Sequence, residues 1–466
     1  MCWALVIPPG QAPDEPPHVG YAQVVAEDLR LPDDSEGHTY SREQVLADRR
    51  SNSLQAAQIL ETRPEWSELA ERDWERDAAR LPETARGEGG HADDFFGINP
   101  AHSNPPLYYL YESVAYRAAS GGDFFDRLYA MRIWSMLLLL VTTAATWLLI
   151  GELAGSRPVL QLAGAGVVVL QPMATFVSSA INPDALLFAS SALALWLGAR
   201  IIRRGLTLGS GVALAAVTAL AVLTKGTGYA LVPAAAFAIG VAIWRRGRPV
   251  RPGLWVAGAS AITFAVPVGA WLIWSRALER SAVNAVPSAN GGSSGPEVGL
   301  IDYLWQFYLP KLPFLDGVTA ISRLPVFDVW IKTGWGAFGW LEVRFPNVVY
   351  VALAVVTLGL VIGGVTALMR HGGRSTQLQA VFFGLAAFTL LAGLHWIEYR
   401  SIKTQGVVFN QGRYLLPLLP ILGACAAGTV ALLRPGLRVP AVGVLLGALF
   451  TLQLFALGVN VARFYA

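Results

Sequence analysis

The sequence has little charge and almost no cysteine. Charged residues make up 14% of the chain, against about 25% in soluble domains, which excludes an ordinary soluble globular protein. The two cysteines, Cys2 and Cys425, are too few for a disulfide framework, and no Cys-x-x-Cys pair offers a zinc site. The net charge of +3 comes without any nucleic-acid-binding motif. We therefore expect no nucleic-acid partner.

Hydrophobic residues make up 54% of the chain and concentrate in long runs. The runs cover residues 130–150, 159–180, 184–202, 207–224, 226–244, 253–275, 347–369, 378–397, 414–433 and 439–461. Each is long enough, or nearly so, to cross a hydrocarbon core of about 30 Å as a helix. Helices satisfy their own backbone hydrogen bonds, as lipid requires. The sequence predicts an all-α polytopic membrane protein of about ten transmembrane helices, six within 130–275 and four within 347–466.

Arginine placement predicts the orientation of these helices. Clusters of arginine fall on alternate short connections: Arg157; Arg200, Arg203 and Arg204; Arg245, Arg246, Arg248 and Arg251; Arg370 and Arg374; Arg434 and Arg438. Basic residues are retained on the cytoplasmic side. We therefore expect two extracytoplasmic loop domains, 9–129 and 276–346, on a bacterial cytoplasmic membrane.

The first eight residues are apolar but too short to span the membrane. Pro8 and Pro9 end the run, and the basic region of a signal peptide is missing. One interpretation is an apolar stub that lies on the surface. We favour the remnant of a truncated first transmembrane helix, and we expect about 15–25 further apolar residues to be encoded upstream in frame.

The two outer loops differ in composition. In the first, Leu54, Ile59 and Leu60 predict one amphipathic helix, and Trp66, Leu69 and Trp74 another. The second opens on a Gly- and Ser-rich stretch after Ser288, typical of disorder. It continues with aromatic residues, which suit the membrane interface or a wall for a sugar or lipid chain.

The segment 8–18 carries the first candidate site. Asp14 and Glu15 follow the apolar stub directly, and His18 comes three residues later. Two carboxylates and an imidazole could supply a general base or metal ligands. The structural alternative is an acidic turn that caps a helix.

Four further motifs fall at the predicted outer ends of the helices. Their polar residues are His102, Asn104 and Tyr108 before the first run, Asn182 and Asp184 in a short turn, Lys225 between two runs, and Arg413 before the ninth. Each has a structural alternative, such as helix capping or a snorkelling lysine. Together they place carboxylates and cations at one membrane face. That combination suits a substrate with a lipid-linked phosphate and a hydroxyl acceptor.

These motifs resemble a bacterial family of predicted membrane proteins, domain of unknown function 2142. The residues that carry the resemblance are 9–18, 104–109, 182–184, 225–228 and 411–417. The family in turn resembles the GT-C glycosyltransferases, membrane enzymes that use polyprenyl-phosphate sugars and carry a catalytic carboxylate in the first outer loop. The resemblance implies a GT-C-like helix bundle and places Asp14 and Glu15 at the catalytic position. Asn104 departs from the pattern, because many such sequences carry His there.

The resulting hypothesis is a sugar transferase that uses a polyprenyl-phosphate sugar donor and a glycan or protein acceptor. Asp14 or Glu15 would act as the base, with Asp14 preferred. The substrate-binding residues would be His18, His102, Asn104, Tyr108, Asn182, Asp184, Lys225 and Arg413. A divalent metal stays open, with no ligands assigned. The alternatives are a transporter or flippase of lipid-linked glycans and a non-catalytic membrane scaffold.

Overall fold

The computed structural model describes residues 1–32, 41, 43, 44, 47, 99–247, 249–278, 298–315, 317, 318 and 324–465. Two expectations lie outside these residues. They are the amphipathic helices predicted within 54–74 and the Gly- and Ser-rich stretch that begins at Ser288.

The described part of the chain is almost entirely helical. Its α-helices of five or more residues are α1 (Cys2–Val6), α2 (Glu15–Asp28), α3 (Leu107–Ala118), α4 (Phe124–Ala154), α5 (Pro158–Val169), α6 (Pro172–Ser178), α7 (Asp184–Arg204), α8 (Leu208–Val222), α9 (Leu231–Arg246), α10 (Arg251–Ala277), α11 (Leu300–Tyr308), α12 (Asn347–His371), α13 (Arg374–Gln405), α14 (Leu419–Ala431) and α15 (Pro435–Tyr465). Two 3₁₀ helices, Gly226–Ala230 and Gly412–Leu418, lead into α9 and α14. A π-helix, Val326–Lys332, precedes a two-stranded antiparallel hairpin of β1 (Ala337–Phe338) and β2 (Val343–Arg344).

The predicted all-α polytopic class is confirmed, while the helix count differs. Eight helices among the described residues are long and apolar enough to cross a membrane, and α5 and α6 form a ninth apolar unit that is bent by 60°. The run predicted at 207–224 contains α8, which has only 15 residues and rises about 22 Å. A helix of that length falls short of the hydrocarbon core.

Helix boundaries follow local sequence signals. Asp123 caps α4, accepting hydrogen bonds from the backbone N–H groups of Phe125 and Asp126 at 2.8 and 2.9 Å. This capping box starts α4 at Phe124, six residues before the apolar run. Pro158 and Pro172 stand at the first positions of α5 and α6, where a missing N–H is tolerated.

The candidate polar residues and the arginine clusters lie at opposite ends of the same helices. Asp184 begins α7 and Arg204 ends it; the helix has 21 residues and is about 30 Å long. At the arginine end, Glu152 of α4 pairs with Arg200, Arg203 and Arg204. The helix α8 then returns alongside α7 and brings Lys225 back to the level of Asp184.

The N-terminal helix packs into the bundle at the end that carries the candidate residues. The ring of Trp3 lies 5.6 Å from that of Phe176 and 4.9 Å from that of Phe338. Its indole N–H donates to Gln453 on α15 at 2.9 Å. Trp340, after β1, donates to the Gly10 carbonyl at 3.1 Å. The segment that contains the hairpin therefore contacts the turn that follows α1.

A fully buried ion pair anchors the segment that follows α1. Glu15 and Arg132 of α4 are both completely enclosed, and Arg132 donates two hydrogen bonds to the carboxylate at 2.6 and 2.8 Å. Arg132 also donates to the carbonyls of Ala4, Ile7 and Pro8. The Glu15 carboxylate in turn accepts from the backbone N–H groups of Gly10 and Ile181 at 3.0 and 3.3 Å. The Arg132 side chain thus fixes the path of the backbone over residues 4–15.

The orientation of α4 can be tested by cysteine labelling at its two ends. Ser120 and Ser156 are exposed on either side of the helix. In a background where Cys2 and Cys425 are replaced by Ser, we expect Ser120→Cys to react with an impermeant maleimide in intact cells. Ser156→Cys should react only after lysis. The reverse pattern would overturn the orientation.

Breaking the buried ion pair should destabilise the protein strongly. Glu15→Gln leaves Arg132 buried without its counter-ion, and we expect a loss of about 3–5 kcal/mol in the free energy of unfolding. Denaturation of the purified protein in detergent measures it. Asp28→Asn is the matched control, because Asp28 pairs with Arg30 on the surface and such pairs contribute only about 0–1 kcal/mol. Equal effects of the two changes would contradict the anchoring role.

Candidate functional site

Asp14 stands at the exposed tip of the anchored turn. Its backbone is left-handed, with φ of 63°, a conformation that Asp tolerates better than most residues. The side chain is 47% exposed, and Oδ2 accepts a hydrogen bond from Nη2 of Arg413. Within the described residues Oδ1 has no hydrogen-bond partner. Asp14 therefore offers one accessible carboxylate oxygen.

Asp14 and Glu15 point in different directions, as expected for neighbours in the chain. Glu15 is enclosed by Arg132 and backbone N–H groups, so its carboxylate does not reach the accessible surface. Partial burial alone would raise the pKa of Asp14, but the charges of Arg413 and Lys225 outweigh burial and hold that pKa below its usual value. Asp14 is consequently ionised at neutral pH.

Arg413 is positioned by the segment that precedes it. Glu398 of α13 accepts hydrogen bonds from the backbone N–H groups of Phe409 and Asn410 at 3.2 and 2.9 Å. Gly412 donates to the Thr333 hydroxyl at 2.6 Å. A Cβ at Gly412 would lie 2.3 Å from the backbone nitrogen of Gly334, so this close approach requires glycine.

Arg413 keeps unused hydrogen-bonding capacity. The side chain is buried, and Nη2 binds Asp14. In the described part of the chain, Nε and Nη1 have no hydrogen-bond acceptor. Buried polar atoms without partners are costly and rare. The guanidinium fork suits a bidentate anion such as phosphate.

A second ion pair lies beside the first. Lys225 Nζ is 2.6 Å from Oδ1 of Asp184. The ring of Tyr414 lies close to both pairs, with its centroid 5.1 Å from Lys225 Nζ and 5.3 Å from Arg413 Cζ. Among the described residues, Oδ2 of Asp184 is buried and unpartnered. Two carboxylates and two cations therefore share one cluster.

Asn182 joins this cluster to the anchored turn. Its Oδ1 accepts from the backbone N–H of Asp184 at 3.0 Å, and its Nδ2 donates to the Pro13 carbonyl at 3.4 Å. The short turn between α6 and α7 therefore packs against the residue that precedes Asp14. The structure brings Asp14, Asn182, Asp184, Lys225 and Arg413 together.

His18 lies against the same cluster, one turn into α2. Its Nδ1 is 2.9 Å from the hydroxyl of Tyr109, which also accepts from Nδ2 of Asn104 at 2.8 Å. Burial is the main cause that lowers the pKa of His18, to about 4. The imidazole is therefore neutral at pH 7.

Tyr108 contacts α4 and the Asn182 backbone, and His102 contacts the turn before α3. Tyr108 is fully buried, and its hydroxyl is 3.1 Å from Oγ of Ser135 on α4. Nδ1 of His102 is 2.5 Å from the Asn99 carbonyl. The structure thus places Tyr109 rather than Tyr108 against His18.

Three charged residues that shape the site were not singled out from the sequence. Arg132 and Glu398 lie within or beside apolar runs. Glu112 of α3 is fully enclosed, and burial raises its pKa well above the usual value. An isolated charge in an apolar stretch was the available signal for all three. Its partner could not be read from the chain.

An apolar cavity of about 410 Å³ is lined by residues of two segments. One wall is the 3₁₀ helix Gly226–Ala230, and the other is the C-terminal half of α13, including Leu390, Gly393 and Leu394. The first wall begins at the residue that follows Lys225 in the chain. Among the described residues no group of three or more His, Cys, Asp or Glu could hold a metal ion.

Comparison with known proteins identifies a family and a distant structural relative. The family model DUF2142, described as a predicted membrane protein, matches residues 1–422, and the resemblance seen in the sequence is confirmed. Two crystal structures of ArnT from Cupriavidus metallidurans are similar to the chain, each with a TM-score of 0.46 and 14% identity. The apo structure covers 78% of this chain and 66% of its own length. The structure bound to undecaprenyl phosphate covers 96% and 68%.

The chain spans about two thirds of the length of those ArnT structures. No curated protein sequence matches it. The family model covers most of the chain, and the chain belongs to the DUF2142 family of predicted membrane proteins.

Proposed function

We propose that this protein is a glycosyltransferase of the bacterial cytoplasmic membrane. It would transfer a sugar from a polyprenyl-phosphate donor to a glycan or protein acceptor of the cell envelope, on the extracytoplasmic side. The observation that carries the proposal is the arrangement of one accessible carboxylate oxygen, two clustered cations and an adjoining apolar cavity.

The cations would hold the phosphate of the donor. Nε and Nη1 of Arg413 lack acceptors among the described residues. Lys225 and Arg413 both lie near the ring of Tyr414. The phosphodiester that joins the sugar to the lipid carries one negative charge. Cleavage of its bond to the sugar creates a second negative charge on the departing polyprenyl phosphate. Donors aimed at developing charge stabilise the transition state more than the ground state.

The apolar cavity would take the first part of the lipid chain. It is lined by Tyr229 and Leu394 among other apolar groups, and its polar lining comes largely from Thr227 and Thr389. A polyprenyl chain attached to a phosphate at Lys225 could enter it directly, because Gly226 borders both. Burial of apolar surface contributes roughly 25 cal/mol per Å².

Asp14 would act as the general base. Oδ1 takes the proton from the acceptor hydroxyl, and the acceptor oxygen forms a bond to the anomeric carbon. The bond from that carbon to the phosphate oxygen breaks, and its electron pair leaves with the polyprenyl phosphate. The low pKa of Asp14 keeps the carboxylate ionised for this step.

The position of the ion pairs favours transfer over transport. Asp184 begins α7, and Lys225 follows the end of α8. Transporters commonly place such groups near the bilayer midplane. Here the ionic groups gather where helices begin and end, which suits chemistry at a membrane face.

Asp14→Asn should separate catalysis from donor binding. The change removes the base but keeps the side-chain shape, so we expect transfer to fall about 10²–10⁴-fold. Stabilisation by undecaprenyl phosphate in a thermal melt should persist, because Arg413 is retained. Arg413→Ala should lose that stabilisation. Purified protein with a panel of polyprenyl-phosphate sugars provides the transfer assay, and full activity in Asp14→Asn would refute the base assignment.

Filling the cavity should weaken binding of the lipid chain. A Cβ at Gly393 meets open space. The leucine side chain in Gly393→Leu should therefore fill part of the cavity without a clash against the backbone. We expect the melting shift caused by undecaprenyl phosphate to shrink markedly. Gly384→Leu is the matched control, because Gly384 lies on the same helix, is exposed and is also free of close contacts. A similar shift in both variants would mean that the lipid binds elsewhere.

A further inference from the structure

Tyr109 links His18 to Asn104 through a rigid hydrogen-bonded chain. The Tyr109 ring is fully buried and stacks on Tyr21 with centroids 3.6 Å apart and planes within 8°. Tyr21 in turn donates its hydroxyl hydrogen to the Asn104 backbone carbonyl at 3.1 Å. The hydroxyl of Tyr109 therefore has a fixed position between the amide of Asn104 and the imidazole of His18.

The direction of hydrogen bonding along this chain follows from its members. Nδ2 of Asn104 can only donate, so the Tyr109 oxygen accepts at 2.8 Å. The single hydroxyl hydrogen is then free to donate to Nδ1 of His18, 2.9 Å away. A nitrogen that accepts a hydrogen bond carries no proton of its own. In a neutral ring the proton then lies on Nε2.

We propose that Asn104 and Tyr109 hold His18 as its Nε2–H tautomer, so that His18 donates a hydrogen bond to an oxygen of the bound sugar or acceptor and does not serve as a base. In this assignment His18 touches substrate, while Tyr109 and Asn104 are positioning residues. The identity of the substrate rests on the proposed function. The tautomer does not.

The surroundings of His18 agree with this role. The charged groups that act on it are Asp14, Asp184, Lys225 and Arg413, which are already joined in two ion pairs. A neutral donor adds a hydrogen bond without disturbing their balance. Within the described residues Nε2 has no partner of its own, so this nitrogen is left for a ligand. Burial lowers the pKa of His18 to about 4, so the ring stays neutral across the physiological range.

The tautomer can be observed directly by nitrogen NMR. The chain has six histidines, and His18→Gln identifies the signal of His18 in ¹⁵N-histidine-labelled protein. We expect a protonated, pyrrole-type signal for Nε2 and an unprotonated, pyridine-type signal for Nδ1 at pH 7. In Asn104→Asp the carboxylate accepts the Tyr109 hydrogen, Tyr109 must accept from His18, and the proton should move to Nδ1. An Nδ1–H ring in the unaltered protein, or no change in Asn104→Asp, would overturn the proposal.

The transfer assay tests whether the donor is used. The amide nitrogen of Gln occupies the place of Nε2, whereas that of Asn lies nearer to Nδ1. We expect His18→Gln to keep kcat/KM within a few-fold, and His18→Asn to lose about tenfold, the value of one ordinary hydrogen bond. Equal losses of 10²–10⁴-fold in both, as for a base, would refute the proposal, as would full activity in both. Absence of transfer in the unaltered protein would count against the proposed function and leave the NMR result to decide the tautomer.

Discussion

The enclosed contact between Glu15 and Arg132 holds the segment 4–15, and the candidate site is built against that segment. Neither side chain reaches solvent, and two charges in such a place persist only if their remaining hydrogen-bonding groups are also satisfied. Arg132 meets that condition with three backbone carbonyls, and Glu15 meets it with two backbone N–H groups. The turn between them has little freedom, and Asp14 at its tip is held in a left-handed conformation. The backbone of the turn thereby holds the Asp14 carboxylate in a fixed position at the site.

The charges of the cluster are also paired, although the cluster is less completely buried. Asp14 balances Arg413, and Asp184 balances Lys225. Each cation has a carboxylate within contact distance, as buried charges require. The formal charges of the four groups in the cluster therefore sum to zero.

Much of this arrangement could be predicted from the sequence, because the signals are local. Apolar runs give the helices, and polar residues at their ends mark one face. Asp14 and Glu15 diverge since adjacent side chains cannot share a direction. Which of Tyr108 and Tyr109 contacts His18 could not be predicted, because neighbours on a helix differ by about 100° in direction, and the sequence does not say which face is turned inward.

Long-range partners were beyond reach for a related reason. Arg132 lies near the start of an apolar run, a position where a long charged side chain usually reaches the membrane surface. Only the fold shows that it lies against Glu15, 117 positions earlier. The exact end of α8 was hidden as well, because the apolar run at 207–224 extends past Val222, where the helix ends. The composition of an apolar run indicates that it can lie in lipid, whereas the ends of a helix depend on capping and packing.

The distances along the chain have a consequence for biosynthesis. Asp14 meets Arg413 across 399 positions, and Trp3 meets Gln453 across 450. A polytopic protein is synthesised and inserted from its N-terminus, so the turn that carries Asp14 is made long before its partners exist. Glu15 and Arg132 can pair early, whereas Asp14 stays without Arg413 until the segment before α14 is made. The order of synthesis therefore separates the anchoring of the turn from the assembly of the cluster, which becomes complete only as the last helices join the bundle.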